Sequence, residues 1–149
     1  MSKAKIGAGT QLKSGNGASP EVFTVVPELK DIELPEIKID MDDVTNQDSA
    51  MLNGLIYKEF IVGLADGSEA TFTGNYLAAD ATQTNVRTYQ DGKLHNWQIV
   101  VRDLTQSPIA TLTTFSFAAY VTSWQPKFPI GKAAQLSFKL KVSGPITQA

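Results

Sequence analysis

The chain has 149 residues, enough for one domain with a substantial core, and no cysteine, which excludes a disulfide framework and a thiolate metal site. Its composition, 42% hydrophobic and 19% charged, is that of a folded globular protein. The net charge of −2 conceals a segregation. Residues 28–48 carry eight acids (Glu28, Asp31, Glu33, Glu36, Asp40, Asp42, Asp43, Asp48) against Lys30 and Lys38, so this stretch stands at −6 and the remainder at +4. That dipole suits head-to-tail contact between identical subunits, and equally a solvated acidic face.

In chain order, the start is basic but lacks the apolar core of a signal peptide, so synthesis and initial residence in a cytoplasm are expected. Residues 1–8 read as a flexible arm. Residues 10–13 and 21–26 flank a Gly-, Asn- and Pro-containing stretch and predict a hairpin with a loose loop. Ile37 and Ile39 alternate with Glu36, Lys38 and Asp40 as a strand. From about 41 to 56 comes a long polar loop, before strand-patterned residues 57–63. Loops beyond about 12–15 residues are uncommon in compact domains and are usually functional or disordered. One this polar is expected to order against a partner.

Further along, Ala70, Phe72 and Tyr76 oppose Glu69, Thr71 and Thr73 in another strand. Asp80 followed by Gln83 is a capping-box pattern, and Asp91-Gly92 is a stop. They predict a helix over about 81–90, lying on the sheet through Val86 and Tyr89. Trp97, Ile99 and Val101 oppose Gln98 and Arg102, residues 111–124 are rich in Thr, Phe, Tyr and Val, and Leu136, Phe138, Leu140 and Val142 form the inner face of a last strand. The fold class is therefore mainly β: an antiparallel sandwich or partly closed barrel of seven or eight strands with one short flanking helix, in a single domain spanning 1–149.

Catalytic and metal-binding constellations are absent from the pattern. His95 is the only histidine, beside a turn. The acids from Asp40 to Asp48 miss the calcium-loop pattern, because Thr45 and Met51 stand where its glycine and glutamate belong. Gly7-Ala-Gly9 has no strand before it and no helix after it, so it is no nucleotide fingerprint. No serine sits in a nucleophile elbow. No enzyme activity, cofactor or membrane partner is expected. Lys127, Lys132, Lys139 and Lys141 gather near the C-terminus, but the pI of about 5.3 argues against nucleic-acid binding, and lysines also guard strand edges.

Four segments, in order, resemble the major tail tube proteins of lambda-like bacteriophages (siphophages). They are Gly9-Thr-Gln-Leu-Lys-Ser-Gly-Asn-Gly-Ala-Ser-Pro-Glu-Val-Phe-Thr24, the acidic Asp43-Val-Thr-Asn-Gln-Asp-Ser49, Lys58-Glu-Phe-Ile-Val-Gly-Leu-Ala-Asp66 and Leu136-Ser-Phe-Lys-Leu-Lys-Val-Ser-Gly-Pro-Ile-Thr147. One departure is that the lambda prototype carries an additional immunoglobulin-like domain. The resemblance implies a subunit that closes into hexameric rings. The rings stack on a tape-measure protein, with tail-terminator and tail-tip proteins as further partners, into a hollow tube of the virion, built in the host cytoplasm. DNA passes through the tube without specific binding.

On that implication, a lumen lined by acids and hydroxyls lets a duplex slide, and Glu36, Asp40, Glu69, Thr71 and Thr73 are the lining candidates, though the same positions also suit ordinary solvated strands. The acidic loop Asp42, Asp43, Val44, Thr45, Asn46, Gln47, Asp48 and Ser49 is expected to join successive rings, its acids meeting Lys132, Lys139 or Lys141 of a neighbour. A secretion-tube subunit of the same architecture is the nearest alternative. A carbohydrate-binding or adhesin-type sandwich, with exposed Trp97 or Trp124 as its platform, is the other.

Overall fold

The computed structural model describes residues 3–149, so the first two residues of the expected N-terminal arm lie outside it. Twelve strands and one helix follow in order: β1 (Gln11–Gly15), β2 (Phe23–Val25), β3 (Leu29–Asp31), β4 (Ile37–Asp43), β5 (Met51–Leu52), β6 (Leu55–Ile56), β7 (Phe60–Gly67), β8 (Glu69–Asn75), α1 (Ala81–Thr88), β9 (His95–Asp103), β10 (Ala110–Lys127), β11 (Gln135–Val142) and β12 (Thr147–Gln148). The body is one antiparallel sheet, ordered β2-β1-β9-β10-β11-β8-β3, with β12 paired to the first half of β10. The fold is mainly β with one short helix, as the alternation predicts. β4 and β7 form a separate two-stranded ladder, and β5 and β6 a second one at its end.

The sheet is forced to curl. Seven strands spaced about 4.8 Å apart would set the edges of a flat sheet about 29 Å apart. Yet the two edge strands β2 and β3 are joined by residues 26–28 alone, a link that reaches at most about 14 Å. The edges must therefore approach, and the sheet closes partway into a barrel. Where β3 packs beside β8, a Cβ on Gly74 would stand 2.3 Å from the Glu28 carbonyl oxygen, so glycine lets the link to β3 lie close.

The concave face holds the core. Leu12, Phe72, Trp97, Ile99, Phe117, Leu136, Phe138, Leu140 and Val142 are buried there, with Phe72 stacked on Phe138 at 5.4 Å. Helix α1 caps the open side. Val86 is fully buried, and the Tyr89 hydroxyl donates to the Gly15 carbonyl at 2.9 Å. In β9 the expected alternation holds through Trp97 and Ile99 and then fails. Val100 is buried and Val101 only half-buried, next to an irregularity in the β9–β10 ladder between Thr111 and Thr113.

Gln83 departs from the capping-box expectation in an informative way. Asp80 does cap the helix, accepting from the Gln83 backbone N–H at 3.0 Å. The Gln83 side chain, however, turns inward and is buried. Its Oε1 accepts from Leu77 N at 2.8 Å, and its Nε2 donates to Asn75 O at 2.9 Å and Pro27 O at 3.3 Å. It thereby ties the helix to the end of β8 and to the link between the edge strands. Replacing Gln83 with Leu strands these three backbone groups in the interior and is expected to cost about 2–4 kcal/mol. The urea midpoint should fall with an unchanged slope, and a loss under about 0.5 kcal/mol would show that the clasp is dispensable.

Candidate assembly surface

The segment expected to be a polar loop is a hairpin arm. β4 continues to Asp43, and β7 returns to Gly67 in register, with Ile37 opposite Gly67, Ile39 opposite Ala65, Met41 opposite Val62 and Asp43 opposite Phe60. Only Ser68 separates β7 from β8, so the arm grows directly out of a body strand. Its root is fastened by a reciprocal pair of bonds, Glu36 N to Ser68 Oγ (2.9 Å) and Ser68 N to Glu36 O (2.7 Å), and by Gly67 packed against Val142. Eight residues of β7 at about 3.4 Å each span about 24 Å, as far as β11 spans the body.

The arm's far end is organised by hydrogen bonds. Asp43 Oδ1 accepts from both the backbone N–H (2.9 Å) and the hydroxyl (2.5 Å) of Thr45, and Thr45 Oγ1 accepts from Glu59 N at 2.8 Å. Ser49 is buried and donates to Glu59 at 3.0 Å, while Asn46 Oδ1 accepts from Asp48 N at 2.8 Å. Beyond these, Asn53 and Gly54, both at positive φ, turn β5 into β6. Met51, Leu52, Leu55 and Ile56 of that small hairpin are all exposed.

The two faces of the β4–β7 ladder differ in chemistry. Register puts Ile37, Ile39, Met41, Val62, Ala65 and Phe60 on one face together with Asp43, and Lys38, Asp40, Asp42 and Asp66 on the other together with Ile61. No described residue covers the apolar face: Ile39 is 58% exposed, Met41 55% and Val62 68%. A two-stranded ribbon is at best marginally stable alone, and so large an apolar stripe marks an interaction surface. The arm is also where negative charge resides. Residues 36–67 hold seven acids against Lys38 and Lys58, a net of −5, whereas 104–149 contain four lysines and no acid.

The sequence candidates fall into three places. Glu36 and Asp40 stand at the root and on the charged face of the arm. Glu69, Thr71 and Thr73 lie on the convex face of β8, directly opposite Lys141, Lys139 and Ser137 of β11. Asp42, Asp43, Val44, Thr45, Asn46, Gln47, Asp48 and Ser49 lie at the end of β4 and in the turn after it. Two of the three candidate lysines are engaged within their own chain: Lys139 lies 3.8 Å from Glu69, and Lys141 lies 3.6 Å from Asp66 and donates to the Gly67 carbonyl. Lys132, and Lys127 beside it, form no ion pair among the described residues. The apolar stripe of the arm escaped the sequence reading, although Phe60, Val62 and the Asn53-Gly54 turn signal were visible in it.

Other candidates resolve differently. Trp97 is fully buried, and Arg87 lies 5.5 Å over the Trp124 ring with Tyr76 against its edge, so neither offers an open sugar platform. His95 stacks on Tyr89 at 4.1 Å and bonds Asp91 at 3.2 Å. Near the N-terminus, Lys5 reaches the buried Asp103 at 3.2 Å, and Arg102 Nε donates to Gly9 O at 2.9 Å.

No protein-family model matches the sequence, and no curated protein matches it. The fold has solved counterparts. A chain of the anti-feeding prophage baseplate superposes with a TM-score of 0.71 at 9% identity, covering 100% of this chain and 97% of that one. A chain from the tail of an empty gene transfer agent particle gives 0.69 at 15% identity, covering 97% and 98%. A chain of the SPP1 tail tube gives 0.62 at 16%, covering 97% and 78%. This chain therefore has the fold found in tail-tube and baseplate assemblies.

Three aspartates give the protein an acid limit. The Thr45 hydroxyl holds the Asp43 carboxyl below the ordinary 3.8, the Lys93 backbone N–H does so for Asp91, and the Thr105 hydroxyl for Asp103. The unfolded chain then takes up protons before the folded one does, so this stabilisation is complete above the ordinary value and is lost as pH falls below it and through the lowered folded value. The urea midpoint should hold steady between about pH 7 and 5 and decline below about 4, with a shallower decline in Asp103→Asn. A midpoint indifferent to pH below 4, or an unaltered slope in the variant, would contradict this.

Proposed function

We propose that the chain is a structural subunit, not an enzyme, that assembles with its own copies into stacked rings forming the hollow tube of a phage tail. The observation that carries this reading is the arm's apolar face, which its own chain leaves bare. No described residue covers that face, so a neighbouring subunit supplies the cover. The arm's length, about that of the body, suits contact with the next ring. Sixfold rings are part of the proposal: the anti-feeding prophage baseplate structure is sixfold symmetrised and the gene transfer agent tail has C6 symmetry. The tape-measure, terminator and tip proteins implied by the sequence resemblance complete the partner set, and the virion tail is the location.

Residues 42–49 belong to the ring-to-ring contact in this proposal. Of the three lysines expected to face the arm's acids, Lys132 is the one that forms no ion pair among the described residues. Covering each half-exposed aliphatic side chain of the arm is worth about 1–2 kcal/mol, whereas an exposed ion pair gives about 0–1. Apolar cover therefore supplies the affinity, and charge sets register and partner choice. Changing Ile39, Met41 and Val62 together to Ser should leave the monomer's thermal midpoint nearly unchanged while tubes fail to form in negative-stain micrographs. Replacing 42–49 with a Gly-Ser turn should likewise spare folding and stop elongation. Normal tubes from both variants would overturn the reading, and a collapsed monomer would make the arm structural.

Glu69, Thr71 and Thr73 are proposed to line the channel. Lys139 and Lys141 lie on the same face, but their ion pairs with Glu69 and Asp66 hold them back from passing phosphates. Converting Glu69, Thr71 and Thr73 to Lys should slow DNA release from assembled tails, most at low salt, because retention by phosphate is screened as salt rises. Release at the normal rate would remove these residues from the channel.

The same fold in an extracellular contractile injection system favours a second reading, a tube of an injection or secretion apparatus. Tubes assembled in a host that also makes capsids, and found joined to DNA-filled heads, separate the first reading from the second.

A further inference from the structure

Two features lie at opposite ends of the β10–β11 pair. At one end, where Lys127 pairs with Gln135, the connecting turn 128–134 carries an apolar knob: Ile130 is completely exposed (102%) and Phe128 is 68% exposed, with Pro129 between them. Tyr76 braces Phe128 edge-on at 5.6 Å, which gives the knob a fixed base. At the other end, where Ala119 pairs with Val142, a groove of about 870 Å³ opens where the arm leaves the body. Ile37, Tyr120, Val142, Pro145 and Ile146 line it, together with the Asp66–Lys141 ion pair.

We infer that the knob of one subunit seats in the arm-root groove of the subunit in the adjacent ring, so that a second copy of this chain is the groove's occupant. The inference rests on the reading that rings stack. Four observations select this occupant over an unrelated partner. The knob and groove are both apolar, and each lacks cover within its own chain. They sit at the two ends of one strand pair, so a translation along the strands superposes them. Such a contact uses different patches on the two copies and repeats without closing, which is what an elongating stack requires. Finally, the charges complement: Lys127 and Lys132 flank the knob, in a segment without carboxylates, and the groove opens beneath an arm of net charge −5. Seating the knob carries Lys132 toward the acids of the arm, beside the Asp66–Lys141 pair at its root, and leaves the rest of the arm to run along the neighbour. Each ring boundary is then gripped twice, by the arm's apolar face and by the knob.

The absence of native cysteine makes a direct test possible. Ile130→Cys combined with Ser143→Cys places one thiol on the knob and one on the exposed lip of the groove. Oxidation of assembled tubes should yield a ladder of covalent multimers on a non-reducing gel, whereas dilute monomer should stay uncrosslinked. Tubes that form but give no ladder overturn the knob-and-groove contact and leave the stacked-ring reading standing. A second variant guards against a double mutant that assembles poorly. Ile130→Asp alters a fully exposed side chain, so the monomer should melt as the parent does while the concentration needed for tubes rises about tenfold or more. Assembly of Ile130→Asp at the parental concentration overturns the inference. Failure of the parental chain itself to form rings or tubes removes the reading on which the inference stands.

Discussion

The link between the two edge strands is the constraint on which the rest of the molecule depends. With residues 26–28 alone joining β2 to β3, the sheet has to curl until its edges approach, and Gln83 fastens that approach from inside. Curling makes the body self-sufficient. Its concave face is filled by its own side chains and capped by α1, so one layer of sheet buries a full core. β4 and β7 pair only with each other, outside the body sheet. They leave as a ribbon with one face apolar and nothing to cover it.

A ribbon of that kind is costly to a monomer and useful to an assembly. Exposed aliphatic stripes promote uncontrolled association, and a two-stranded ladder also offers open edges. The charge on the arm's other face restrains this. Asp40, Asp42 and Asp66 repel a second acidic arm, so like arms are poor partners, while the lysine-bearing, carboxylate-free C-terminal region is a good one. Attraction between unlike ends and repulsion between like ends together favour a directional stack. The tip contributes order through a different mechanism: the hydrogen bonds among Asp43, Thr45, Ser49 and Glu59 shape it before any partner arrives, which lowers the entropy lost on docking.

Much of the body was legible in the sequence. Leu136, Phe138, Leu140 and Val142 alternate without interruption, and all four are buried; Ala70 and Phe72 behave alike. The helix was marked by Asp80 and by Val86 and Tyr89 on one side. What alternation does not contain is the identity of the facing surface. Ile37 and Ile39 carry the pattern of a half-buried strand, yet no described residue covers them. The arm beyond Asp40 was hidden for a related reason. Its acids and amides dominate the composition, and the strand pairing that organises it joins residues up to 30 apart, as Ile37 with Gly67. Gln83 illustrates a third limit: the capping spacing located the helix start, but the side chain found better partners in Leu77, Asn75 and Pro27, groups brought near only by closure of the sheet. For the candidate site, spacing assigned the lysines their charge but not their neighbours, and Lys139 and Lys141 are paired across strands within one chain.

The central claim is that the arm waits for a second copy of the chain. Amide hydrogen exchange, followed over minutes to hours in dilute monomer and in concentrated, assembled protein, tests it most directly. Residues 37–67 should exchange quickly in the monomer, while the β9, β10 and β11 amides stay protected, and the arm should become strongly protected on assembly. Strong protection of the arm already present in the monomer, or an arm that exchanges equally fast in both states, would contradict it.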